Sequence, residues 1–380
     1  MENLCHTFFG AALAKAGLER VTPLALPTLL IGANLPDIDV VARFEGPLAY
    51  LRHHRGITHS IVGLMALSMI LPVLMLLFDR LVRQRIRRDA DPARFRGLLL
   101  VSLIALASHP LLDYTNPYGI RPFLPWSGRW YYGDLVFIVD PWLWLILGGA
   151  VFFLTSQTQR RIIAWGMLAG LLTLIVLGAH IALTMQRQEP MSLAWLWLLL
   201  LGAVIIARWY GVQRHGAKLA TAALVATVVY WSLLMVAHHI ALEHVLAISR
   251  AAASGEATTK QAALPRPATP LAWDGFFESP GDVFYGMITL TSNPGAHEPM
   301  SRYPKRLDDP LVHPALQTCA GATLLEFARY PFAVIEPQAN GYTVILRDAR
   351  FEREQRSGFA VMAIPVDEPT KSTPGTAHRR

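Results

Sequence analysis

The sequence predicts a mainly α-helical polytopic membrane domain, with about six transmembrane helices and a short N-terminal helical hairpin, followed by a small C-terminal α+β domain. Three observations predict it. Of 380 residues, 53% are hydrophobic and 16% charged, whereas soluble domains carry about 25% charged residues. Six apolar segments recur before residue 250. Beyond residue 270 they give way to short β-branched and aromatic runs bounded by turn formers.

The chain opens with two apolar stretches, Leu4–Ala16 and Pro23–Ala33, around a polar turn from Lys15 to Arg20. Each is shorter than the ~20 residues that span a bilayer. They read as a half-deep helical hairpin that starts and finishes at one surface, with His6 at its beginning and Asn34-Leu-Pro-Asp-Ile-Asp39 at its end. Pro36 disfavours helix, so Asp37 and Asp39 are expected on a turn. No cleavable signal is expected, because a basic n-region is lacking and the spans themselves can target the chain.

The six longer segments fall at about 57–78, 98–113, 135–156, 162–185, 191–207 and 218–241. Loops 79–97, 157–161 and 208–218 together hold twelve Arg and Lys, against three in loops 114–134 and 186–190. The positive-inside rule assigns the Arg-rich loops to the cytoplasm. His54, His59, His109, Asp113 and the C-terminal domain then fall on the exoplasmic side of the membrane. The hairpin brings His6, Asp37 and Asp39 to the same face. The net charge of +7 lies largely in these loops, so it reads as topology and no nucleic-acid partner is expected. Cys5 and Cys319 support neither a disulfide framework nor a thiolate metal site.

Domain boundaries are predicted at 1–250 for the membrane domain, 251–270 for an Ala/Thr/Pro-rich linker, 271–366 for the α+β domain and 367–380 for a disordered tail. Strands are expected at 282–291, 332–336, 342–347 and 359–365, with Asn340-Gly341 as a hairpin turn. One amphipathic helix is expected over 311–329, carrying Leu316, Ala320, Leu324 and Phe327 at helical spacing.

The chemistry concentrates in His53-His54-Arg55-Gly56-Ile57-Thr58-His59-Ser60, which stands directly before the apolar run Ile61–Phe78. Ionisable residues at the mouth of a membrane helix are functional candidates, although a wet interfacial loop would also hold such an octet. His109 and Asp113, four apart, share one helix face; alone, they would read as a salt bridge or a cap. Asp37 and Asp39 alone would form a turn, and His6 alone would be an interfacial histidine.

Together these residues place nitrogen and oxygen donors without thiolate on one side of one membrane domain. That donor set suits a divalent ion, zinc first, with manganese or iron(II) as alternatives. The expected ligands are His6, Asp37, His54, His59, His109 and Asp113. Asp39 is the expected general base, and Arg55 the group that stabilises anionic charge.

The ordered set His6, Leu35-Pro-Asp-Ile-Asp39, His54-Arg-Gly-Ile-Thr-His-Ser60 and His109-Pro-Leu-Leu-Asp113 resembles the YdjM/YfhP family of membrane-bound metal-dependent hydrolases. The likeness continues through Asp113–Gly119 and Asp134…Asp140-Pro-Trp142. It is fainter in Arg329–Phe332 and Ile345–Arg350. The resemblance implies a metal-dependent hydrolase of the inner membrane whose motif residues map onto His6, Asp37, Asp39, His54, His59, His109 and Asp113. A weaker likeness is to zinc-dependent phospholipase C, and His239 with Glu243 is either a second metal pair or a helix-end pair. Asp140 either reaches the metal or pairs with Arg121 or Arg129, with pairing favoured.

The expected activity is hydrolysis, by metal-activated water, of a phosphoester in a membrane lipid or lipid-linked substrate. The alternatives are a metal- or proton-handling transport protein, or a metal-stabilised scaffold.

Overall fold

Long apolar helices fix the architecture. The computed structural model describes residues 1–185, 192–252, 258–291, 300–354 and 359–367. The tail expected at 367–380 therefore lies, beyond Asp367, outside the described residues. Among the described residues, five helices are long and apolar enough to cross a membrane: Ala25–Glu45, Ile61–Ile86, Phe95–Tyr114, Gln159–Ile181 and Ala217–Ala252. Pro141–Thr155 and Ala194–Trp209 are shorter apolar helices. Four of the six expected spans are thus long helices.

The span expected at 135–156 is shortened for a visible reason. The backbone N–H groups of Leu135 and Val136 donate to the Thr115 carbonyl, at 2.7 and 2.9 Å, which keeps this stretch out of helix. The helix begins at Pro141, where Asp140 accepts from the N–H groups of Trp142 and Leu143 as its N-cap. Asp140 also accepts from the Tyr230 hydroxyl at 2.9 Å. It neither joins the candidate ligands nor pairs with Arg121 or Arg129, which corrects the expectation.

The N-terminal hairpin pairs α1 (Asn3–Lys15) with α2 (Ala25–Asn34). Glu2 caps α1 by accepting from the Cys5 N–H at 2.8 Å. Small and apolar residues seam the hairpin to the helix Phe95–Tyr114, with Ala14, Ala25, Leu29, Val101 and Ala105 all buried. The hairpin is deeper than its short arms suggest. At its tip, Thr22 Oγ1 accepts from the Arg94 N–H at 2.8 Å, at the far end of Phe95–Tyr114 from Asp113.

A 3-10 helix, Leu35–Glu45, continues α2 with Pro36 in its first turn, and Gly46 ends it at φ +108°. Next come α3 (Pro47–His53), a 3-10 turn at Ile57–His59 and α4 (Ile61–Phe78). Ser60 caps α4 by accepting from the Gly63 N–H at 3.1 Å. A Cβ at residue 63 would come within 1.9 Å of the Ile57 carbonyl oxygen, so only glycine lets the turn sit this close to the helix. Phe95–Tyr114 is α5, Pro141–Thr155 is α6 and Gln159–Met185 is α7. Ser192–Trp209 is α8 and Ala217–Ala252 is α9.

The C-terminal region holds two antiparallel meanders: β1 (Lys260–Arg266), β2 (Thr269–Glu278), β3 (Asp282–Thr289) and β4 (Ser301–Pro304), then β5 (Pro331–Gln338), β6 (Gly341–Asp348) and β7 (Val361–Asp367). β1 and β2 begin inside the stretch read as linker. Ala262, Ala263 and Leu264 are buried there, and the prolines fall where the β1–β2 register breaks, next to Arg266. The single helix expected at 311–329 is two, His313–Leu316 and Cys319–Phe327, because Thr318 caps the second.

The two parts share apolar cores. α9 runs out of the membrane domain into the first sheet, where Ala241, Val245 and Ile248 pack on Trp273, Phe277 and Ile288. Leu51, Tyr118 and Trp130 of the membrane domain share a core with Phe327 and Val344.

Candidate metal centre

Four elements converge at one end of the hairpin. The 3-10 helix Leu35–Glu45 carries Asp37 and Asp39, and the 3-10 turn before α4 carries His59. α5 carries His109 and Asp113, and α1 carries His6. The His-Arg-Gly-x-Thr-His segment can make this entry because it bends sharply. Arg55 sits at φ +54°, and a Cβ at residue 56 would lie 2.5 Å from the His53 carbonyl oxygen.

Asp37, His59, His109 and Asp113 bring one donor atom each to a common point, all within 4.8 Å of one another. His59 Nε2 lies 3.3 Å from Asp37 Oδ1 and 3.3 Å from Asp113 Oδ2. His109 Nε2 lies 3.5 Å from Asp37 Oδ1, 3.2 Å from Asp113 Oδ2 and 3.1 Å from His59 Nε2. Donors at zinc-ligand bond lengths of about 2.0–2.1 Å on the corners of a tetrahedron stand about 3.3 Å apart. The observed spacings cluster on that value. The group could hold a metal ion.

The surroundings fix which atoms face inward. His109 Nδ1 contacts the Ala33 carbonyl at 2.7 Å. His59 Nδ1 contacts Asp39 Oδ2 at 3.1 Å and Thr58 Oγ1 at 3.1 Å. Both rings are thus gripped at Nδ1 and present Nε2, the outer-sphere arrangement of metal-ligating histidine. Asp113 Oδ1 takes Nη2 of Arg55 at 2.8 Å and the amino group of Met1. Its Oδ2 is buried, turned to the histidines, and has no hydrogen-bond donor. A buried, unsatisfied carboxylate oxygen calls for a ligand.

Burial works against a charged His59, but the neighbouring carboxylates of Asp113, Asp37 and Asp39 outweigh it and push its pKa up to about 10. The site attracts positive charge.

The remaining expected residues occupy different places. Asp39 has both oxygens engaged: Oδ1 meets His54 Nδ1 at 2.9 Å, while Oδ2 accepts from the Arg55 N–H and the Thr58 hydroxyl, each at 2.9 Å. Its geometry is that of an orienting group, and the general-base role expected for it finds no free oxygen. Arg55 is buried and also donates through Nη1 to Asn116 Oδ1 and the Gly119 carbonyl, each at 3.0 Å. It braces Asp113. His6 stacks on His109, with ring centroids 3.9 Å apart, and its Nε2 is 3.4 Å from Asp113 Oδ1. It stands beside the four-atom group. His54 belongs with Asp37 and Asp39 to a second set of donor atoms within 4.8 Å. His239 and Glu243 are both exposed and join neither group among the described residues.

Asn116 was not among the expected site residues, yet its Oδ1 accepts both from Arg55 and from the Tyr118 N–H at 2.9 Å. Its position three residues after Asp113 was the available signal. Thr58 was hidden inside the octet. The Ala33 carbonyl is a backbone group that no side-chain motif reveals.

A cavity of about 480 Å³ opens beside the group. Asp37, Val40, Arg43, Tyr50, His54 and Arg55 line it together with Tyr118, Ile138 and, from the C-terminal region, Phe351 and Phe359. Arg329 clamps that region down by donating through Nη1 to both oxygens of Asp134, at 2.9 and 2.8 Å.

A buried Asp/His cluster at one end of apolar helices defines a membrane protein with a candidate metal centre. Residues 1–187 match the YdjM inner membrane protein family, and that half of the chain is YdjM-like. A stretch of 155 residues is 33% identical to the uncharacterized protein YfhP of Bacillus subtilis (strain 168), covering 38% of this chain and 43% of that protein. The match thus spans less than half the length of that relative. No solved structure shows a significant match.

Proposed function

We propose that this chain is an integral membrane metal-dependent hydrolase that cleaves a phosphoester of a lipid or lipid-linked substrate at the exoplasmic surface. The observation that carries the reading is the four-atom group of Asp37, His59, His109 and Asp113, with both histidines held at Nδ1 and Asp113 Oδ2 left without a donor. These four residues would hold the ion. A divalent ion there supplies Lewis acidity and lowers the pKa of water toward about 7.

The chain's own groups do the rest. Asp39 fixes the tautomer and tilt of His59 and His54. Arg55 keeps Asp113 aimed by donating to its Oδ1. His54 lines the cavity with Nδ1 already held by Asp39, so its Nε2 is the atom that holds or moves a proton during ester cleavage. The aromatic wall of Tyr50, Tyr118, Phe351 and Phe359 excludes water from one side. The twelve-to-three asymmetry of basic loop residues supports the exoplasmic assignment.

The test is the metal content of the detergent-purified protein by mass spectrometry, for wild type beside His59→Ala and His109→Ala. The expected result is one or two equivalents of a divalent metal in wild type, lost in both variants. A wild-type protein that stays metal-free after reconstitution overturns the reading.

A further inference from the structure

The 3-10 helix Leu35–Glu45 has three residues per turn, so positions three apart lie on one face. Its three faces differ sharply. Asp37, Val40 and Arg43 all line the cavity beside the candidate metal centre. Asp39 and Ala42 point inward, the first bound to His54 and His59 and the second buried. The third face is Ile38, Val41 and Phe44, which are 53, 56 and 93% exposed. An apolar edge this bare needs an apolar medium.

The neighbouring elements supply one. The 3-10 helix is the end of the candidate span Ala25–Glu45, and it packs against the Ile57–His59 turn and α4. Ile57, Ile61 and Met65 on those neighbours are exposed apolar residues as well. The edge therefore continues the lipid-facing surface of the membrane domain up to the mouth of the cavity. At that mouth stands Arg43, exposed, its guanidinium carbon 5.8 Å from the Tyr50 ring and without an ion-pair partner among the described residues.

We propose that this 3-10 helix is a lateral port for a membrane phospholipid. The Ile38–Val41–Phe44 edge lies in the bilayer, Arg43 receives an anionic phosphate headgroup, and the Asp37–Val40–Arg43 face leads it to the metal centre. The port supplies the substrate class for the hydrolase reading and rests on it. Because one short helix carries both the lipid edge and Asp37, headgroup capture and the metal centre share one rigid element.

The experiment uses the full chain carrying Phe44→Cys in a Cys319→Ser background, labelled with an environment-sensitive fluorophore and reconstituted in phosphatidylcholine vesicles. Cys5 is buried, so labelling is confined to residue 44. Doxyl-labelled phosphatidylcholine is expected to quench the label, and doxyl-labelled phosphatidylglycerol to quench it at about fivefold lower mole fraction, the effect of one cation near an anionic headgroup. Adding Arg43→Gln should erase that preference and leave metal content at the wild-type level.

A label that reports water and resists both quenchers overturns the port, as does an anionic preference that survives Arg43→Gln. Metal content measured on the same samples separates the two readings. Normal metal with no lipid preference removes the port alone. An Arg43-dependent preference in a protein that cannot bind metal removes the hydrolase and leaves a lipid-binding edge.

Discussion

The Nε2 atoms of His59 and His109 face each other across 3.1 Å, with both Nδ1 atoms gripped from behind. Held this way, both rings present Nε2 to one point, where a metal ion that displaces the intervening proton would take a lone pair from each. Removing either ring should abolish metal binding and lower hydrolysis of a soluble chromogenic phosphodiester at least about 100-fold, with membrane insertion unchanged. Normal turnover by His109→Ala would sink the mechanism.

Asp39→Asn tests the orienting role. The ring of His59 would lose its carboxylate partner but not its place, so metal affinity should fall by about 10–100-fold without vanishing. Competition with a fluorescent chelator measures it. An Asp39 acting as general base instead would leave affinity intact and remove activity alone.

Arg55 and Asp113 form an ion pair with both side chains at most 4% exposed. Replacing Arg55 with Met strands a buried carboxylate, at a cost of about 3–5 kcal/mol. Arg55→Lys should rescue little, because one ammonium cannot serve Asp113, Asn116 and the Gly119 carbonyl together. Thermal unfolding in detergent reads both variants.

The pH dependence follows from His59, pushed up to about 10 by the carboxylates that outweigh its burial. At neutral pH the metal-free ring carries a proton, which a metal must displace. Metal affinity should therefore rise with pH and level off near that value. In the metal-free protein the sign reverses: the stability this proton contributes is complete below the unfolded value of about 6.5 and is lost as pH rises through the folded one. Calorimetry in buffers of different ionisation enthalpy should detect proton release on zinc binding, and its absence at pH 7 would contradict this account.

Arg329 and Asp134 tie the C-terminal region to the loop after α5. Arg329→Ala should speed proteolysis of that region in the folded protein while leaving metal content unchanged, as limited digestion followed by mass spectrometry would show. Asp348 accepts from the Arg329 N–H at 2.9 Å, and Arg350 donates to the Pro117 carbonyl at 2.7 Å.

Much of the membrane domain was legible because hydrophobic length and charge placement act locally along the chain. The hairpin, four long spans and the convergence of Asp37, His59, His109 and Asp113 all follow from residues readable in order. What escaped was set by partners distant in sequence. Leu135 and Val136 look helical until Thr115 takes their N–H groups. Lys260–Arg266 looks like a linker until Thr269–Glu278 pairs with it. Asp39 and Asp37 are near twins in the sequence, and only the 3-10 turn between them decides which faces the cluster and which faces His54.

The helix Ala217–Ala252 sets a fixed standoff. Its lipid-facing stretch to Ile240 is 24 residues and the part under the first sheet is 12, giving 36 in all. At 1.5 Å per residue these are about 36 and 18 Å. The first sheet packs directly on the last turns of this helix, so its place along the helix is counted in residues. Deleting one residue after Ile240 would shift the first sheet by about 1.5 Å and about 100°, straining it against the second core, where Phe351 and Phe359 pack with Leu51, Tyr118 and Trp130. The enclosure around the candidate centre therefore depends on the register of a helix that never touches it.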